Sequence, residues 1–442
     1  MSRTGVISDA SPQSEIYDDI ITNGIIGPNR EMLGPVSDGG KITFLTAPGC
    51  WGALITPTIR GGHAVSTPVV VENANAGDAV AIKIDRIKVL SKAASSGVHN
   101  PREGCYIGDA SVAKKCPTCN ELWPEFVVEG IGQKAVKCKN CGTPISPFEM
   151  VNGYTMVLDH ETRQAITVDR KKAEAIARDA WAWHALPKNS IQVPILIFGQ
   201  ADIQGVASRI FPMLGQLGTV PAVNIPDSHN AKDVGYSLIG APHPYSLNKT
   251  EWETKLTDGH MDIDSVRTGA IVIAPVLVKG GGVYAGDAHA QMGDGESAGH
   301  TTDVTAESTV TVSVLKHLKL NGPILIPLEE DLPRLAKPWR KDEWEGIRKL
   351  AKDAGIEVEP VAPLQIVGSG PNINEAAMDG VQRAAKLFEM SVEEVRNRAT
   401  ISGAVEIGRL PGIVQVSVQV PIRILERLGI DKLVTSQYDL HY

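Results

Sequence analysis

The sequence predicts an α+β fold that is mainly β, on three observations. Short runs rich in Val and Ile recur through the first three quarters of the chain, 43 Gly and 28 Pro residues punctuate them, and helical patterns gather in the last quarter. β-Branched side chains suit a pleated, half-buried surface, and Gly and Pro supply the turns that end a strand. Sandwich or barrel cores with C-terminal helices satisfy that pattern.

Taken in order, the strand-like runs are 41–45, 68–72, 79–89, 191–199, 270–278, 309–316 and 413–420, each bounded by Gly, Pro, Asn or Asp. Helical spacing of apolar residues marks 170–186 (RKKAEAIARDAWAWHAL), 341–354 and 374–388. At 391–398 the stretch begins SVEE, so Ser391 can cap a helix and Glu394 can reach back to it, the capping-box pattern. Composition shifts divide the chain into an N-terminal β region (1–110), a cysteine-bearing insertion (111–146), a central β region (147–335) and a C-terminal α+β region (336–442).

Charge narrows the partners. The 43 basic and 51 acidic residues give a net −8 spread along the chain, with no basic block to neutralise phosphates, so nucleic acid is excluded as a partner. The N-terminal MSRTGVISDASPQSE lacks the apolar core of a signal peptide, and no apolar run approaches the roughly 20 residues that cross a bilayer. A cytoplasmic protein without a membrane partner is expected.

Four cysteines carry the most specific local signal. Cys116, Cys119, Cys138 and Cys141 form two CxxC pairs, KCPTCN and KCKNCG, separated by 18 residues, the spacing of a closed four-thiolate zinc site. Four thiolates leave no position open for water, so this zinc is expected to be structural, in a zinc-ribbon-like insertion. Disulfides are the competing reading, disfavoured in a reducing compartment. Cys50 and Cys105 pair with nothing by spacing and read as small buried residues.

A second concentration of chemistry lies at 281–300, GGVYAGDAHAQMGDGESAGH. Asp287 and His289 stand two residues apart, as do Asp294 and Glu296, so on extended backbone each pair points one way and can converge on an ion. Upstream, LTDGHMDIDS offers Asp258, His260, Asp262 and Asp264 as the other half of a metal site. His63 in RGGHAVSTP and His229 in IPDSHNAKD lie in loops suited to lining a substrate pocket.

The segment GDAHAQMGDGE resembles the signature of the acetamidase/formamidase family of metal-dependent small-amide hydrolases. STPVVVENANAGDAVAIKI and RATISGAVEIGRLPGIVQVSVQVPI resemble its early strand pair and its closing segment, so the similarity runs from about residue 68 to 421. The resemblance implies jelly-roll-like and barrel-like β portions, hydrolysis of a small amide to ammonia and a carboxylate, and a homo-oligomer. It carries Asp287, His289, Asp294 and Glu296 onto the family's signature and Asp262 onto the Asp of its HGGNxD loop. On this reading His260, Asp262, Asp287 and His289 hold a second divalent metal, expected to be zinc, and Glu296 and Asp294 are the catalytic acids, with Glu296 moving the proton. Two other outcomes follow from the same residues: a hydrolase of cyclic or nitrogen-rich amides, or a metal-binding protein without chemistry.

Overall fold

The computed structural model describes residues 11–50, 56–193 and 198–440. Twelve strands form one mixed sheet. Its path starts at Met213–Thr219 and passes through Val283–His289, Val69–Val71, Leu33–Thr46, Ala306–Leu315, Ala79–Val89 and Ile271–Pro275. From there it continues through Ile324–Ile326, Val361–Ser369 and Ile413–Pro421 to Ala404–Arg409, while Gln13–Asp18 pairs in parallel with Leu33–Thr46. The path curls until its two end strands approach each other. Arg409, on the last strand, bonds to Asp262, whose N–H donates to Gly215 of the first. Barrel-like closure of this kind covers what would otherwise be open edges.

Burial explains the apolar runs. Every residue of Met213–Thr219 and of Val283–His289 is buried, so these strands are apolar on both faces except where a polar side chain is held inside. One core of Val, Ile, Leu and Ala fills the region between Val36 and Ile413 and includes Met261, Ile263, Ala288 and Ala290, the immediate neighbours of the acidic motifs. A second core lies under the C-terminal helices.

Most of the expected elements form. Ala79–Val89 and Lys341–Ala354 coincide with the expected bounds, and Ile373–Phe388, Ala306–Leu315 and Ile413–Pro421 differ at the ends by a few residues. The helix expected over 170–186 is two, Arg170–Arg178 and Ala180–His184, because Asp179 leaves helical geometry (φ −124°, ψ 35°). Val392–Ser402 is capped by Ser391, whose Oγ accepts from Glu394 N–H at 3.0 Å. The return half of the capping box does not form, since the Glu394 carboxylate pairs with Arg398 instead. Of the strand expected at 191–199, residues 194–197 lie outside the described residues, and 191–193 carry no strand.

The insertion is a compact knuckle built on the two-stranded ribbon Phe126–Val128 and Val136–Cys138. It stands beside a four-stranded sheet, Ala207–Arg209, Gln164–Thr167, Phe148–Asp159 and Ala93–Pro101.

The C-terminal layer is tied to the site by one buried arginine. Arg383, on Ile373–Phe388, reaches Asp258 at 2.6 Å and Asp379 at 2.7 Å, and Asp258 lies two residues before His260. Removing one partner of such a pair strands a buried charge, at a cost of about 3–5 kcal/mol. Arg383→Met is therefore expected to lower stability by about that amount in urea titration, and adding Asp258→Asn is expected to restore part of it. A loss below about 1 kcal/mol in the single variant would show that the pair contributes little.

Candidate functional site

Strand register sets the centre of the site. Met213–Thr219 pairs antiparallel with Val283–His289, Leu214 facing Ala288 and Gln216 facing Gly286, which puts Gly215 opposite Asp287. A methyl group on Gly215 would lie 2.0 Å from Asp262 Oδ1 and 2.9 Å from Asp287 Oδ2, so only glycine leaves room for these carboxylates. The Gly215 carbonyl in turn accepts from Met261 N–H and Asp262 N–H, at 2.9 and 3.0 Å, drawing the His260 loop against the strand. An isolated bridge between His289 and Asp303 brings in a further acid.

Around Asp287 three imidazoles converge. His63 Nε2 lies 3.2 Å and His260 Nε2 3.6 Å from Asp287 Oδ2, and His289 Nε2 lies 3.2 Å from Asp287 Oδ1. His260 Nε2 is also 2.9 Å from Asp262 Oδ2, and His289 Nε2 is 3.2 Å from Asp303 Oδ1. Asp227 Oδ1 stands 3.6 Å behind His63 Nδ1. All these side chains are buried, with Glu296 and His260 the most accessible at 6% and 5%.

On each side of Asp287 the spacing is that of ligands around an ion. Nitrogen and oxygen atoms bound tetrahedrally to an ion at about 2.05 Å lie about 3.3 Å from one another. Asp287 Oδ1, Asp303 Oδ1 and Asp262 Oδ1 are buried without a hydrogen-bond partner, although a histidine nitrogen stands beside the first two. His260 Nδ1 faces the Ser228 carbonyl at 2.6 Å, which fixes the proton there and turns the Nε2 lone pair towards the carboxylates. A lone pair aimed at an anion needs a cation or a proton between them. The residues present therefore fit a divalent metal in three overlapping sets that share Asp287: Cys50 with His63, His260 with Asp262, and His289 with Asp303.

Without a metal, protons supply the positive charge. Burial alone would lower the His63 imidazole, but Asp287 and Asp227 carry it up to about 9. His289 is raised well above its ordinary value by Asp287 and Asp303 against the same burial penalty, and His260 is raised by Asp262. Burial and then the neighbouring Asp262 push the Glu296 carboxyl well up. Burial lifts Asp303 to about 6, whereas His260 and Arg409 outweigh burial at Asp262 and hold it near about 2.

Each residue singled out in the sequence has a place. His260, Asp262, Asp287 and His289 meet at the centre, Glu296 lies within their field, and His63 joins them. His229 does not face the cluster: its Nε2 pairs with Asp109 at 2.7 Å and its Nδ1 with Ser228 Oγ at 2.9 Å. Asp294 is exposed, and its charge acts on Asp264 and Glu406, whose carboxyls burial raises to about 6 and about 7. Asp258 belongs to the Arg383 pair.

Three contributors escape the sequence reading as site residues, whereas Asp303 stands in HTTDV, where the family resemblance also places an acid. Asp227 and Arg409 come from segments with no recognisable spacing, and Arg409 clamps Asp233 through both oxygens at 2.7 and 2.8 Å while bonding to Asp262. Cys50 packs into the site, its Sγ 3.1 Å from His63 Nε2 and its N–H donating to Asp303 at 3.0 Å. Burial and the Asp287 carboxylate keep that thiol protonated. Its signal was the glycine before it, since a methyl group on Gly49 would lie 1.6 Å from Asp287 Oδ1.

The four-cysteine cluster forms as its spacing required. Cys116 Sγ and Cys141 Sγ are 3.5 Å apart, Cys119 Sγ and Cys138 Sγ 3.7 Å. A disulfide would need about 2.05 Å. Four sulfurs around one zinc at about 2.3 Å would lie about 3.8 Å apart, so the set fits a metal.

The sequence model of the Acetamidase/Formamidase family matches residues 50–427. Among solved structures, a recombinant predicted acetamidase/formamidase from the thermophile Thermoanaerobacter tengcongensis is similar, with 16% identity and a TM-score of 0.51 over 94% of this chain and 98% of that one. An acetamidase from Yersinia enterocolitica gives 16% identity and a TM-score of 0.50 over 96% and 97%. Among curated proteins none matches the chain significantly.

Two outcomes test the site as a metal seat. Gly215→Ala is expected to lose the metal of this cluster while the four-cysteine metal and the circular dichroism spectrum persist, by elemental analysis. Because His63 holds its proton up to about 9, a cation entering at pH 7 must displace it, so binding releases protons and apparent affinity climbs with pH until about 9. Calorimetric titration with Mn²⁺, which an all-thiolate site binds weakly, in two buffers of different ionisation enthalpy counts those protons. Binding with none released at pH 7 contradicts the assignment.

Proposed function

The chain belongs to the acetamidase/formamidase family, hydrolases of linear amide bonds, and from that premise we propose that it cleaves a small aliphatic amide of the formamide or acetamide type to ammonia and a carboxylate. The observation that carries the reading is the convergence of three imidazole Nε2 atoms on the Asp287 carboxylate beside a buried glutamic acid. We assign divalent metal binding to the sets that share Asp287, His260 with Asp262 and His289 with Asp303, with His63 beside them, zinc by the character of their nitrogen and oxygen donors, and a second, structural zinc to the four cysteines.

An amide carbonyl is a weak electrophile and its nitrogen a poor leaving group. A bound divalent cation supplies Lewis acidity for the carbonyl and acidifies a water. The chain supplies the rest. Glu296, whose proton affinity burial raises, is suited to accept a proton from the attacking water as the carboxylate and to hand it on to the departing nitrogen. Asp294 is not given that role, because its carboxylate is exposed. Arg409 offsets the charge of Asp262 and fixes its orientation. Burial of the cluster to a few per cent exposure favours a substrate of a few atoms over a large one and keeps bulk water away.

Ammonia release from formamide, acetamide and propionamide, together with chromatographic detection of the ring-opened amino acid from a γ-lactam, is the direct assay. Turnover of the linear amides is expected, with His289→Ala losing both metal and activity. Glu296→Gln is expected to retain the metal and lose about 10²- to 10⁴-fold in kcat. Undiminished kcat in Glu296→Gln removes the proton role, and no release from any linear amide by metal-replete protein removes the substrate class.

A further inference from the structure

Resting on that reading of the site, we propose that the four-cysteine knuckle is a positioning element for the metal cluster, acting through Lys114 on the His63 loop and through Asp109 on His260. Lys114 lies two residues before Cys116 and is wholly buried. Its ammonium donates to the carbonyls of Ile59 at 2.8 Å and Gly61 at 3.2 Å, and to Ser111 on its own segment. The backbone so held is the short run that ends in His63. A buried ammonium is tolerated only where its donors are satisfied, and here carbonyls satisfy them. The Lys114 carbonyl itself accepts from Trp123 N–H at 2.8 Å, and the Trp123 ring carries the Arg60 guanidinium at 4.4 Å, a second hold on the same loop.

A separate chain of bonds runs from Asp109, two residues before the knuckle and bonded to Ser111 N–H, to the second imidazole. Asp109 accepts from His229 Nε2 at 2.7 Å, and His229 Nδ1 then accepts from Ser228 Oγ at 2.9 Å. Ser228 Oγ accepts from Gly62 N–H at 2.8 Å, one residue before His63. The Ser228 carbonyl accepts from His260 Nδ1 at 2.6 Å and fixes its tautomer. Outer partners of this kind set the orientation and basicity of ligating histidines, and their removal typically costs about 10- to 100-fold in metal affinity or activity.

The geometry of the knuckle explains how metal occupancy reaches these anchors. Cys116 and Cys138 belong to a core that the knuckle shares with the four-stranded sheet and the helix Arg170–Arg178, against which Cys50 also packs, while Cys119 and Cys141 are exposed at the outer end of the knuckle. Four thiolates on one ion lock 116–119 to 138–141, and with them the turn that carries Lys114. Without the ion, the ribbon Phe126–Val128 and Val136–Cys138 has three residues a side, too little to hold that turn alone.

Three variants of the full-length, metal-replete protein test this. Cys119→Ser opens the structural site from its exposed end, Lys114→Met removes the ammonium, and Lys249→Ala, which breaks an exposed pair with Glu253 outside the knuckle, serves as the control. Hydrogen–deuterium exchange of 56–66, metal retained after dialysis, and kcat and KM for the best linear amide are measured on each. Cys119→Ser and Lys114→Met are expected to exchange 56–66 at least tenfold faster while 79–89 stays protected, to lose cluster metal about 10- to 100-fold more readily, and to fall in kcat more than they rise in KM. Lys249→Ala should match wild type. If Lys114→Met does not fold, Cys119→Ser decides alone. Wild-type exchange at 56–66 and wild-type cluster metal in a Cys119→Ser protein that has lost its structural metal would overturn the proposal. Because exchange and metal retention need no turnover, an inactive wild type would count against the amidase reading and not against this one.

Discussion

Asp287 concentrates the problem that the rest of this molecule solves. Its carboxylate sits among Asp227, Asp262, Asp303 and Glu296 in a buried region, and the guanidinium that reaches it, Arg409, is already shared with Asp233. So many like charges cannot stay buried unless something positive is held with them. The three imidazoles meet that need in one of two ways, by taking protons or by turning lone pairs to a cation. Their raised affinity for protons and their ligand-like spacing are two views of one arrangement.

Backbone geometry carries part of the cost. Asp262, Asp287 and Glu296 adopt positive φ of 43°, 51° and 40°, and so does Asp258 at 53°. Outside glycine this conformation costs about 1–2 kcal/mol per residue, and Asp tolerates it better than Glu does. Such strain persists where surrounding structure over-determines it. Here Gly215 on the facing strand and the salt bridge from Arg409 do so for Asp262, while a backbone pair between Gly295 and Gly408 holds the turn of Glu296.

Much of this was legible in the sequence, and the remainder was hidden for physical reasons. Strands and helices announced themselves through periodicity, and the CxxC pairs through spacing, because both are local properties. Asp287, His289 and Glu296 could be read because glycines crowd around them. Arg409 and Asp227 could not, since each gains its meaning from contacts across the fold. His229 shows the opposite limit: a histidine in a loop of the right composition sits one residue from the site, yet its ring is turned to Asp109 behind it. Only side-chain direction separates a ligand from its support, and a sequence does not state direction.

The order in which the chain supplies its ligands has a further consequence. His63 precedes the knuckle, Asp227 to Asp262 follow the four-stranded sheet, Asp287 to Asp303 come next, and Arg409 arrives on the final edge strand. The site is thus the seam where a curled sheet meets its own beginning. An ion held there binds the closed sheet and not the unfolded chain, so it stabilises closure by mass action, about 2.7 kcal/mol when present at a hundred times its dissociation constant. The same argument runs in reverse: any loosening of the end strands, of the Arg383 tether or of the knuckle weakens the ion's seat. Chemistry and closure in this fold are therefore coupled through the same carboxylates.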